Sequence, residues 1–186
     1  MPLNASLVRV AVTGLVSAGP TATTAPTGTA SVLAVGFVDL GYIGEDGVTQ
    51  SAAESGDSNA LKAWQNGDTV RTLYATSEGR PSWTFTLLET KKDVIELYYG
   101  TTVTTSATEG TFEIDTNDAR TYKSFVLDVV DGAELIRIYV PRGFLSEVGD
   151  IVYANQEAIG YEVTIEGERD SVKSYNAKQW ATSLKT

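Results

Sequence analysis

The chain has 186 residues, 14 basic against 24 acidic side chains for a formal charge of −10, and neither cysteine nor histidine. A single domain of this length buries about 70% of its unfolded surface in one core without disulfides. The missing residue types exclude thiol nucleophiles, Cys or His zinc sites, Ser-His-Asp triads and imidazole acid–base work. The negative charge disfavours adhesion to nucleic-acid phosphates or to an anionic membrane face. Zero cysteine fits a reducing compartment and is equally compatible with an extracellular protein that does without bridges. The start, "MPLNASLVRVAV", lacks a basic region followed by a continuous apolar one, and no stretch approaches about 18 apolar residues. The expectation is one soluble domain over residues 1–186, made in the cytoplasm, with no membrane partner.

In chain order, "SAGPTATTAPTGTAS" (17–31) comes first, built from small residues, Thr, Pro20 and Pro26. It buries little apolar surface, so it reads as a surface loop or as an arm that orders against a partner. The arm reading places Pro20 and Pro26 between subunits and leaves the free monomer's stability independent of the segment. Next, Val38, Leu40 and Tyr42 alternate with Phe37 and Asp39, a strand that breaks into the acidic turn Gly44-Glu45-Asp46-Gly47. Trp83, Phe85 and Leu87 alternate with Ser82, Thr84 and Thr86 in a half-buried strand. The segment "LETKKDVIELYYG" predicts a short helix over about 91–99, with Thr90 as N-cap, Val94, Leu97 and Tyr98 on one face and Gly100 at its C-terminus.

In "SFVLDVVDGAELIRIYVP" the dipeptide Asp131-Gly132 predicts a two-residue hairpin turn. Pairing across it puts Phe125, Leu127, Val129, Ile136 and Ile138 on one face and Asp128, Arg137 and Tyr139 on the other. "AIGYEVTIEGERD" sets Ile159, Tyr161, Val163 and Ile165 against an acidic stripe of Glu162, Thr164, Glu166 and Glu168. Many strands and one helix predict a mainly β fold, a β-sandwich or barrel with one short flanking helix. There is no internal repeat.

Catalytic motifs find no foothold. "DLGYIGEDGVTQ" does not supply the ligand order of a helix-loop-helix calcium loop. Glu45 and Asp46 are adjacent, and so cannot face each other across a cleft as a glycosidase pair must. The glycines spell neither G-x-G-x-x-G nor a P-loop, and no S-x-x-K is present. "NAS" at Asn4 matches a glycosylation sequon without an export signal. Trp64, Trp83 and Trp180 could form a sugar platform, but Trp83 lies on an apolar strand face and reads as core. The expectation is no catalytic residue, no cofactor and no metal, which leaves binding or building.

"FVDLGYIGEDGVT" (37–49), "ALKAW" (60–64), "FTLLET" (85–90), "YYG" (98–100) and "EAIGYEVTIEGERD" (157–170), in this order and spacing, resemble the major tail protein of long-tailed, flexible-tailed bacteriophages, the subunit of the tail tube. The resemblance runs from about Val8 to Asp170 and does not cover a C-terminal tail at 171–186. It implies a β-sandwich with a flanking helix, six copies closing into a ring, and rings stacked as a conduit for genome delivery. The implied partners are the chain itself, a tape-measure protein, tail tip and terminator proteins, and DNA that passes without specific binding. The implied location is the virion tail, after assembly in the host cytoplasm. Under that reading Glu162, Glu166 and Glu168 are candidates to face the lumen, and Pro20, Pro26, Glu45 and Asp46 to lie between subunits. Competing readings are another β-rich virion protein, such as a tail terminator or head-tail connector, and a carbohydrate-binding β-sandwich.

Overall fold

A computed structural model describes residues 3–4, 7–52, 58–74, 79–115 and 120–185. The fold is mainly β. Its strands in chain order are β1 (Thr13–Pro20), β2 (Val38–Asp39), β3 (Ile43–Ser51), β4 (Ser58–Lys62), β5 (Thr69–Tyr74) and β6 (Ser82–Leu87). Helix α1 (Lys92–Tyr99) follows, then β7 (Thr104–Thr105), β8 (Gly110–Thr111), β9 (Lys123–Asp131), β10 (Glu134–Val148), β11 (Tyr161–Gly167) and β12 (Lys178–Ala181). One sheet runs in the order β2-β1-β9-β10-β11-β6-β3, with β12 also paired to β10, while β4-β5 and β7-β8 form separate two-stranded sheets. Among the described residues no helix is long and apolar enough to cross a membrane.

The alternation read from the sequence makes the core. Trp83, Phe85 and Leu87 of β6 and Tyr161, Val163 and Ile165 of β11 are all buried, and pairing in register sets Val163 opposite Phe85 and Ile165 opposite Trp83. On the other arm of the sheet Val16, Phe125, Leu127, Ile138 and Val140 enter the same cluster. The sheet therefore curls so that β1 and β9 face β11 and β6 across one apolar interior. Each large side chain so buried stabilises by about 1.5–3 kcal/mol. Val94, Ile95, Leu97 and Tyr98 turn one face of α1 into this core, and Gly100 ends the helix in the left-handed region, with φ 76°.

Strand β10 is the spine. It pairs with β9 along one edge, and its other edge is shared by β12 at Ile136–Tyr139 and by β11 from Gly143 onward. The register shifts between Val140 and Gly143, where Pro141 offers no N–H to a ladder. Gly143 is required there, because a Cβ would stand 2.7 Å from the Phe125 ring.

Several expectations are corrected. Residues 17–20 are not loop: they finish β1, paired with β9 through Pro20↔Lys123. The strand expected from Phe37 stops at Asp39, whose side chain accepts the Gly41 N–H at 2.8 Å. Leu40 is thus buried while Val38 and Tyr42 are exposed. Gly44-Glu45-Asp46-Gly47 is not a turn between elements but a bulge inside β3, since Ile43 pairs with Leu87 and Val48 with Phe85. Thr90 does not cap α1: the N-cap is Lys91 without a side-chain bond, and the Thr90 hydroxyl meets Tyr161 Oη at 3.0 Å. The β9–β10 turn is Gly132-Ala133, closed by Asp131↔Glu134, rather than Asp131-Gly132. That slides the pairing by two residues, and a slip of two preserves both faces. Within the C-terminal tail, β12 joins the sheet and Thr182 Oγ1 accepts the Leu135 N–H.

Candidate subunit interface

The outward side chains of β6 and β11 are short and polar. Register places Ser82 beside Glu166, Thr84 beside Thr164 and Thr86 beside Glu162, and β3 extends the face with Thr49 beside Thr84 and Ser51 beside Ser82. The Thr84 and Thr164 hydroxyls meet at 2.9 Å. The acidic stripe is only partly bare. Arg80 lies 3.9 Å from Glu166 and 3.1 Å from Glu168, and Arg142 donates to Glu168 at 3.1 Å. The Arg142 guanidinium also stacks 3.6 Å from the Tyr122 ring centre, and Arg80 lies 5.4 Å from that of Phe144. Burial pushes the Glu168 carboxyl upward, but hydrogen bonds from Arg142 and Tyr122 and the charges of Arg80 and Arg142 outweigh it, holding it below the ordinary range. Glu162 is exposed, with no ion pair among the described residues.

The outward face of β9 and β10 is different, because residues 21–37 of the same chain lie over it. Arg137 grips Asp128 through two bonds, Nε at 2.6 Å and Nη2 at 2.8 Å. Its Nη1 donates to the carbonyl oxygens of Ser31 at 2.6 Å and Gly28 at 3.2 Å. Phe37 meets Tyr139 edge-on at 6.5 Å. Val126 and Tyr139, which point away from the core cluster, are fully buried. The idea that 17–31 adds nothing to the monomer is therefore corrected. Pro26 is buried within its own subunit, while Pro20 is exposed at the end of β1.

At the sheet's margins, Glu45 and Asp46 project from the β3 bulge into solvent. The β4-β5 hairpin, which the sequence reading missed, pairs with no other strand among the described residues. It exposes Trp64 (97%), Val70 (72%) and Leu61 (47%). Its signal was Asn66-Gly67, with Gly67 at φ 75°, a dipeptide that favours tight turns. Among the described residues no group of three or more acidic side chains could hold a metal ion.

A family model described as phage tail tube protein matches residues 1–181. The chain belongs to the phage tail tube protein family. The match includes β12, beyond the span that the sequence resemblance covered. No match is found among curated protein sequences. A solved sheath/tube terminator of an extracellular contractile injection system, PVC, in its extended state, is 10% identical with a TM-score of 0.47, covering 96% of each chain. The tube-terminating cap of the anti-feeding prophage is 10% identical with a TM-score of 0.46, covering 97% of this chain and 100% of its own. In this tail tube protein the candidate residues fall into separate groups. Glu162 and Glu166 share the uncovered face of β11, Glu168 follows the strand's end, Glu45 and Asp46 lie on the edge strand β3, Pro20 ends β1 and Pro26 lies within the covering loop.

Proposed function

We propose that the protein is the repeating structural subunit of a phage tail tube, without catalytic activity. In this reading six copies close into a ring, rings stack, and the bore conducts the genome. The family match across residues 1–181 carries the reading. The subunit's form supports it, for β3 is an edge strand with no strand on its outer side among the described residues. Such an edge invites pairing, and ring closure uses it up. The uncovered face of β6 and β11 then lines the bore, with Glu162, Glu166 and Glu168 directed inward. Carboxylates and hydroxyls there repel or slide past DNA phosphates within a Debye length of about 8 Å. Glu45 and Asp46 lie at subunit contacts, as does Pro20, exposed at the end of β1. Partners are further copies, a tape-measure protein in the lumen, and tip and terminator proteins at the ends. The site of action is the virion tail, after assembly in the host cytoplasm.

Negative-stain electron microscopy of the purified protein tests this: six-fold rings and long tubes are expected. Rings that never elongate would point to a terminator. A strictly monomeric species at high concentration, even with tail-initiation partners, would overturn the proposal.

A further inference from the structure

Among the described residues the main sheet does not close on itself. β1 pairs with β9 along its whole length, but on its other edge β2 covers only Ser17 and Ala18, and the Leu40 N–H takes the Val16 carbonyl. Thr13, Gly14 and Leu15 therefore present an edge without a strand partner to a cleft of about 650 Å³, whose far wall is the free edge of β3. Val12, Leu15, Tyr42 and Val48 give this cleft apolar walls, and its lining carries carboxylates but no Lys or Arg. Asp128 is already held by Arg137, and Lys91 lies 3.3 Å from Glu89. Asp39 and Glu45 remain without an ion pair among the described residues. Val12 and Tyr42 at the mouth are 70% and 77% exposed.

The β4-β5 hairpin has the opposite character. It exposes Leu61, Trp64 and Val70 and carries Lys62 and Arg71. Its Asp68 carboxylate accepts from the Asn66 side-chain amide, and the Asp68 N–H donates back to the Asn66 side-chain oxygen. A two-stranded hairpin alone is marginal in water, and one with a large exposed aromatic ring needs a surface to pack on. Edge, apolar walls and negative rim together match a strand that brings apolar side chains and cations.

Resting on the tail tube reading, we propose that the cleft between β1 and β3 receives the β4-β5 hairpin of a neighbouring copy. A hairpin strand adds to the free edge of β3. Trp64, Leu61 and Val70 then cover Val12 and Tyr42, and Lys62 and Arg71 approach Glu45 and Asp39. The bulge at Gly44–Gly47 keeps this edge from pairing with arbitrary strands while it waits for its partner.

The absence of native cysteine makes the test direct. Protomers carrying Val12→Cys are mixed with protomers carrying Val70→Cys, and a short bifunctional thiol reagent is added before and after assembly, with microscopy of each sample. Covalent pairs between the two variants, confined to assembled samples, are expected. Lys62→Glu with Arg71→Glu should weaken association by about fivefold per lost pair, and Glu45→Lys should restore part of it. Tubes that form normally without any such cross-link would overturn the docking and leave the tube reading intact. A cross-link within one dilute copy carrying both cysteines would also overturn it, since the hairpin would then cover its own cleft. If the unsubstituted protein forms neither rings nor tubes, both the docking and the tube reading fall.

Discussion

On β9 and β10 the side chains that point away from the core, Val126, Tyr139 and Arg137, are buried, with Gly28 and Ser31 on Arg137 and with Phe37 and Lys173 against the Tyr139 ring. On β6 and β11 their counterparts Thr84, Thr86 and Thr164 are half-buried and Glu162 is exposed. Both regions obey the same two-residue alternation, so alternation assigns a side but not an environment. The chemistry of the outward residues tells them apart. Val126 and Tyr139 would cost exposed apolar area without a lid, whereas threonine suits a pleated surface and tolerates water. The first region is covered within the monomer, and the second is open.

The hardest way to break this comparison is to remove the lid. Deleting residues 21–31 should destabilise the isolated monomer by about 3–6 kcal/mol, the combined cost of opening part of this apolar face to water and of taking the Gly28 and Ser31 acceptors from the buried Arg137. Chemical denaturation would read this as a lower midpoint. An unchanged midpoint would return the segment to the role of an idle arm.

A subtler break leaves the lid present and removes its anchor. Arg137→Met leaves the Asp128 carboxylate in a nearly closed site, 12% exposed, and should cost about 3–5 kcal/mol. Adding Asp128→Leu should recover most of that, because a buried pair replaced by apolar side chains is often neutral. If the double variant is as unstable as the single, the bonds from Arg137 to the Gly28 and Ser31 carbonyls carry the anchoring instead of the ion pair.

This lid marks where sequence reading stopped. The inward faces of β6, β9, β10 and β11 were legible because each is a run of alternating large apolar residues, and the helix was legible from its spacing and Gly100. The covering loop was not: it holds the sheet through the backbone carbonyls of Gly28 and Ser31 offered to Arg137, and backbone acceptors leave no mark in composition. Arg137 facing Asp128 across the hairpin was the available hint, since two charges beside Val126 and Tyr139 call for a partner layer. The bulge in β3 was hidden for a related reason: Gly-Glu-Asp-Gly has the residues of a turn, and only pairing with β6 keeps the chain extended. On the uncovered face the acidic stripe was legible as a pattern, but Arg80 and Arg142, which reach it from other strands and loops, were not.

Those two arginines allow the uncovered face to be probed by pH. Because the folded Glu168 carboxyl is held below its ordinary range, its interactions stabilise the fold above the unfolded value, near about 4.3. They are lost as pH falls through the lower folded value. Wild type and Glu168→Gln should therefore differ near neutrality by less than about 1 kcal/mol, as suits a partly exposed pair, and should converge at strongly acid pH. A gap that widens on acidification would reverse the sign of the coupling and remove Arg142 and Arg80 as its cause.

The smallest effect is also the one that best separates the two regions. Thr84 and Thr164 share a hydroxyl pair at 2.9 Å in the middle of the uncovered face, and such cross-strand pairs contribute roughly 0.2–1 kcal/mol. Replacing both with valine keeps the shape and leaves no orphaned partner, so monomer stability should shift by no more than a few tenths of a kcal/mol. The same double change beneath a lid would be equally quiet in every assay. Here the face is proposed to line a bore, so the valine pair should leave rings and tubes intact while altering DNA release from assembled particles, because a wet, hydroxyl-lined wall has become locally apolar. Unaltered release from normal tubes would place this face on the outer wall. A monomer weakened by well over about 1 kcal/mol would instead mean that the face already packs against something within its own chain.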